Sequence, residues 1–93
     1  MDRKKAVALG YDGGDASPSV LAVARGILAE KLLELAREHG ITIVNDPDLA
    51  GVLSELNAGD EIPEHLFRAV AEVFGYCYRM NSEFRKKFDG FGY

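Results

Sequence analysis

The hydrophobic pattern changes period several times along the chain, and each change marks an element. Lys5 to Asp12 carries the apolar run Ala6 to Leu9 and is closed by Gly13 and Gly14, which can take the positive φ of a tight reversal; this predicts a first strand. After the turn-like stretch Gly13 to Pro18, the run from Ser19 to Ala24 is apolar beyond its serine and includes Val20 and Val23. That is the pattern of a second, buried strand. From Gly26 to His39 the period becomes helical, with Leu28, Ala29, Leu32, Leu35 and Ala36 on one face and Glu30, Lys31, Glu34, Arg37 and Glu38 on the other. Gly40 occupies the position just past the helix end, and Ile41 to Val44 is a β-branched run typical of a central strand. Strand, helix and strand in this order predict a right-handed βαβ crossover.

Asp46 is placed to cap a short helix with Pro47 in its first position and Leu49, Val52, Leu53 and Leu56 as its apolar stripe. A turn through Asn57, Ala58 and Gly59 follows, and Pro63 opens a long helix to about Met80. That helix carries two apolar stripes: Leu66, Val70, Val73 and Cys77 form one, and Phe67, Ala71, Phe74 and Tyr78 the other. A small domain has few layers with which to cover two faces. Either the helix is sandwiched between the sheet and the C-terminal segment, or its second stripe is left for a partner. The reading is an α/β domain over residues 1–80. Residues 81–93 form a C-terminal tail that alternates aromatic, basic and glycine residues and has the composition of a mobile segment.

Composition narrows the classes of function. A length of 93 residues accommodates one core, and 47% hydrophobic with 28% charged residues is an ordinary globular balance. A net charge of −4 disfavours a phosphate-backbone binder, so nucleic acid is not an expected partner. The single cysteine, Cys77, cannot close an internal disulfide, which points to a cytoplasmic setting; the run Ala6 to Leu9 is too short for a signal segment or a membrane span.

The candidate chemistry is sparse. Tyr11 to Asp15 combines glycines with Asp12 and Asp15 but has neither the Lys and Ser/Thr of a phosphate loop nor the further oxygen ligands of a calcium loop, so it reads as a turn. His39 and His65 have no Cys or His at ligand spacing; no metal or cofactor is expected. Cys77 is a nucleophile only if the fold brings a histidine and a carboxylate beside it, and otherwise a core residue. A small cytoplasmic enzyme using Cys77 or the Asp12 and Asp15 carboxylates is therefore the alternative to a binding protein. A domain with structural value only is a third reading. Phe84, Arg85, Lys86, Lys87 and Phe88 suggest either a weak RNA patch or, more simply, a helix extension with Phe84 and Phe88 packed at i, i+4.

The order of motifs also resembles a known family. Ala6-Val7-Ala8-Leu9-Gly10-Tyr11-Asp12, Ser17-Pro18, Val23-Ala24-Arg25-Gly26, Asn45-Asp46-Pro47-Asp48-Leu49-Ala50 and Gly59-Asp60-Glu61-Ile62-Pro63 leading into Ala69-Val70-Ala71-Glu72-Val73 are similar, in this sequence, to the cytoplasmic C-terminal domain of the FlhB/YscU family. The resemblance runs from about Lys5 to Arg79. It implies a small mixed sheet of about four strands, with the βαβ unit, surrounded by about three to four helices. It also implies a role in flagellar or type III protein export, with export-gate membrane proteins, export substrates or chaperones as partners. The setting implied is the cytoplasm, at the export apparatus on the inner membrane. Members of that family cut themselves at an Asn-Pro-Thr-His motif just before the first strand, whereas Met1-Asp2-Arg3-Lys4 stands there in this chain; without the attacking Asn no self-cleavage is expected, and the chain corresponds to a free-standing domain of the family, a non-catalytic component. The family's shallow apolar depression for early substrates maps onto Ser17, Pro18, Ala71 and Phe74.

Overall fold

A computed structural model describes residues 4–11 and 17–86. Two strands, β1 (Lys5–Gly10) and β2 (Ser19–Arg25), form an antiparallel hairpin; α1 (Ile27–Glu38), α2 (Pro47–Leu53) and α3 (Phe67–Met80) follow, with one 3-10 turn at Glu64–Leu66 and a last helical segment, α4, over residues 82–86. The fold is α/β, as read from the pattern. No helix among the described residues is long and apolar enough to cross a membrane.

The hairpin register contains an irregularity that matters for the core. Ala8 pairs with Ala22 but Leu9 pairs with Val20, leaving Leu21 as an extra residue on β2. In a regular strand Val20 and Val23 would point to opposite faces. The bulge at Leu21 changes the parity, so that both pack into one core while Leu21 is turned out, 61% exposed, onto the Cα of Gly10. That core consists of Val20, Leu53, Ile62 and Val70, packed around by Val7, Leu9, Val23, Leu49, Leu56, Leu66 and Phe74. Val20 and Val70 are wholly buried, each such side chain contributing about 1.5–3 kcal/mol relative to exposure.

Both helix ends and caps follow their sequence signals. Asp46 accepts a hydrogen bond from the Leu49 amide at 3.1 Å, with Pro47 opening α2. At the end of α1, Gly40 takes φ 67°, its amide donates to the Arg37 carbonyl and the Ile41 amide donates to the Ala36 carbonyl at 2.8 Å, the paired closure that a left-handed residue allows.

Two expectations are corrected among the described residues. Residues 41–46 hold no strand, so there is no βαβ crossover, and the sheet has two strands rather than about four. The helix closure takes up the Ile41 amide, and Ile41 is 60% exposed. The β-branched run was therefore a propensity without a paired edge to use it. The outer edge of β2 is met from a different place. Val20 donates to Asp60, Gly59 donates to Val20 at 2.7 Å and Ile62 donates to Pro18 at 3.0 Å, forming an antiparallel bridge between Ser19 and Glu61. The turn that presents this segment is held by the Asp60 carboxylate accepting from the Asn57 amide at 2.8 Å.

Candidate functional site

The two stripes of α3 have different fates. Val70 and Cys77 of the first stripe are buried, whereas on the second Ala71 is exposed, Phe67 is 40% exposed and Tyr78 is 38% exposed. Phe74 sits where the stripes meet, half-buried, with one side against the core. Helical spacing accounts for this directly, because positions 67, 71, 74 and 78 share a face.

Around Phe74 the chain gathers further aromatic residues. The Tyr11 ring, just past β1, lies with its centroid 5.6 Å from that of Phe74 at an interplanar angle of 49°. The Phe84 ring from α4 lies 5.9 Å away and nearly parallel, at 6°. Both separations are in the range of favourable ring pairs. Ser17 and Pro18 enter β2 half-buried, and the Pro18 carbonyl, by accepting from Ile62, fixes that entry against the core that Phe74 also touches. Of the four residues named from the sequence, Phe74 packs against the core, Ser17 and Pro18 lie half-buried at the entry to β2, and Ala71 lies on the exposed face of α3. A separate open depression bounded by Lys4, Arg25, Ile27 and Leu28 includes none of them.

Three contributors were not read from the sequence. Tyr11 stands in a segment whose composition reads as a turn, and the spacing of Phe84 pairs it with Phe88, which lies outside the described residues. Asn81 carries a local signal of its own: an Asn after the last apolar residue of one helix and just before another helical segment is a capping residue. Its side-chain oxygen accepts from the Glu83 and Phe84 amides, and its amide donates to the Gly40 carbonyl and the Thr42 hydroxyl.

The groups weighed for catalysis are arranged differently. Cys77 is buried, and burial pushes its thiol above the ordinary value, with a backbone hydrogen bond opposing. That is the reverse of an activated nucleophile. His39 and His65 are exposed on separate elements, and no group of three His, Cys, Asp or Glu side chains among the described residues could hold a metal ion. Asp12 and Asp15 lie outside the described residues.

Comparison with known proteins agrees with this arrangement of elements. The chain is 35% identical over 85 residues to the uncharacterized protein YlqH of Bacillus subtilis (strain 168), covering 90% of this chain and 91% of that one. It is 40% identical over 85 residues to the flagellar biosynthetic protein FlhB of Helicobacter pylori, covering 88% of this chain but 23% of FlhB, so it spans about a quarter of that relative's length. The cytoplasmic domain of FlhB from Shewanella putrefaciens superposes with a TM-score of 0.77 at 39% identity, over 83% of this chain and 64% of that one. Residues 3–77 match the model of the FlhB HrpN YscU SpaS family, and the chain belongs to that family.

Proposed function

We propose that the chain is a non-catalytic component of flagellar or type III protein export that acts by binding. Its partners in this reading are export-gate membrane proteins, export substrates or their chaperones, which it meets in the cytoplasm at the export apparatus. The contact face comprises Ser17, Pro18, Ala71 and Phe74. The observation that carries the reading is the division of α3. A second apolar stripe remains partly open to solvent beside Phe74 after the first has filled the core. Family membership supports a role in export, and the FlhB relatives, several times longer than this chain, are flagellar biosynthetic proteins by name. The acidic surface then tunes encounter rather than affinity.

The non-catalytic part of the reading is supported by the residues before β1. Met1 to Lys4 include no Asn whose amide could attack its own carbonyl.

The test is co-purification of the chain with an FlhB-type gate protein and with rod and hook proteins, using the parent, Phe74→Asp and Ala71→Asp. Ala71 is exposed, so its variant keeps the fold. Loss of the same partner from both variants is expected. Retention of every partner by both folded variants would sink the proposed face.

A further inference from the structure

The end of the described chain sits on the face just assigned to a partner. Helix α3 stops at Met80 because Asn81 leaves helical backbone, at φ −127° and ψ 110°. The same residue starts α4. Its side-chain oxygen accepts from the Glu83 and Phe84 amides at 3.0 and 3.2 Å, and its carbonyl accepts from the Arg85 amide at 3.0 Å. The turn at Asn81 brings residues 82–86 against α3. Phe84 then stacks on Phe74, and the Arg85 guanidinium stands 6.0 Å over the Tyr78 ring. Both rings met by α4, those of Phe74 and Tyr78, are on the second stripe.

We propose that α4 is an internal competitor for this face: Phe84 holds the position on Phe74 that an apolar side chain of an export partner takes, and Asn81 is the latch that keeps it there. The inference rests on the reading of Phe74 as part of the partner surface. Two physical features make the segment releasable. A helix of one or two turns does not persist by itself in water, so α4 is helical only while it is docked. Its cap and its anchor share one side chain, because Asn81 caps α4 with its side-chain oxygen while its side-chain nitrogen donates to the Gly40 carbonyl and the Thr42 hydroxyl at 2.9 and 3.0 Å. Cap, anchor and ring stack are therefore coupled, and the segment has two states, docked and released, rather than a graded set. Partner affinity is then reduced by the fraction of chains in the released state. Loss of Phe84 or of the latch removes that reduction, while loss of Phe74 removes the binding.

The experiment uses the full chain and Nile red, an uncharged apolar dye, with Asn81→Ala, Phe84→Ala and each of these combined with Ala71→Asp, all checked for fold by far-UV circular dichroism. Both single variants are expected to bind the dye at least about tenfold more tightly than the parent, the factor set by a minor released state of about one tenth or less, and Ala71→Asp should reverse the gain. Unchanged dye binding in both single variants, or a gain that Ala71→Asp leaves intact, overturns the proposal. A second arm titrates purified hook protein. Tighter hook binding by Phe84→Ala than by the parent is the expected result. If hook protein binds parent and Phe84→Ala equally and is lost with Ala71→Asp, the docking face stands and the latch falls. If the dye gain occurs but hook and rod proteins bind no form of the chain, the latch stands and the docking reading falls.

Discussion

Arg25, the last residue of β2, donates one guanidinium nitrogen to both oxygens of Ser54, the carbonyl at 2.9 Å and the hydroxyl at 3.3 Å. Ser54 caps the C-terminal end of α2 and is 4% exposed, and its hydroxyl donates in turn to the Gly51 carbonyl at 2.8 Å. The strand end is thus tied to the helix end through a buried polar residue, and removing the arginine leaves the Ser54 carbonyl without that donor. Arg25→Met should lower stability by about 1 kcal/mol, below the range for a hydrogen bond to a buried charged group because the arginine is exposed and screened by solvent. Thermal unfolding of a domain this size would then shift by about 4–8 °C. A shift below one degree would mean that the pair contributes nothing.

The division of α3 into a core stripe and an open stripe gives a contrast between neighbours. Val70→Ala should cost about 2–3 kcal/mol through lost methyl burial and the cavity left behind, since Val70 is wholly buried. Ala71→Ser, one position on, should stay within about 0.5 kcal/mol. Urea denaturation measures both; equal effects would contradict the assignment of faces.

At Gly40 the backbone has φ 67° with nothing within 4 Å of a would-be Cβ. Gly40→Ala therefore meets no clash and should cost only the left-handed backbone penalty, about 1–2 kcal/mol. Gly40→Asn should cost less, because Asn tolerates that conformation. The ranking Gly, Asn, Ala in melting temperature checks this, and an Ala variant as stable as the parent would refute it.

Cys77 supplies a pH dependence. Burial raises its thiol above the ordinary 9.0, so the folded state holds the proton more tightly than the unfolded state does. The associated stability is complete below about pH 9 and is lost as pH rises through the higher folded value. The parent should lose stability above pH 9 faster than Cys77→Ala does. At neutral pH, Ellman's reagent should label Cys77 slowly in buffer and rapidly in urea; fast labelling of the folded chain would show the thiol to be accessible.

The helices were legible in the sequence because their signals are local. The Asp46-Pro47 start, Gly40 after α1 and the paired stripes of α3 all act within a few residues, and each appears where expected. The hairpin strands were legible for the same reason. What the pattern could not reveal depends on pairing between distant residues. Ile41 to Val44 has strand composition, but no described strand edge pairs with it, while Gly59 to Ile62, which reads as turn and proline approach, is the segment that reaches β2. Of the candidate face, Ser17, Pro18, Ala71 and Phe74 came from the family resemblance, with Ala71 and Phe74 also on a stripe visible in the periodicity. The placement of Tyr11 and Phe84 against Phe74 required the turn at Asn81 and the hairpin to be built first.

The pairing of Gly59 to Ile62 with Pro18 to Val20 has a consequence for how these molecules coexist at high concentration. An open strand edge is a template on which a second copy can add, and small sheets offer such an edge at every border. By taking the amide and carbonyl of Val20 and the carbonyl of Pro18 into intramolecular bonds, the turn after α2 acts as a guard rail along β2. The stretch from Pro18 to Val20 is thereby kept from recruiting another molecule through backbone pairing.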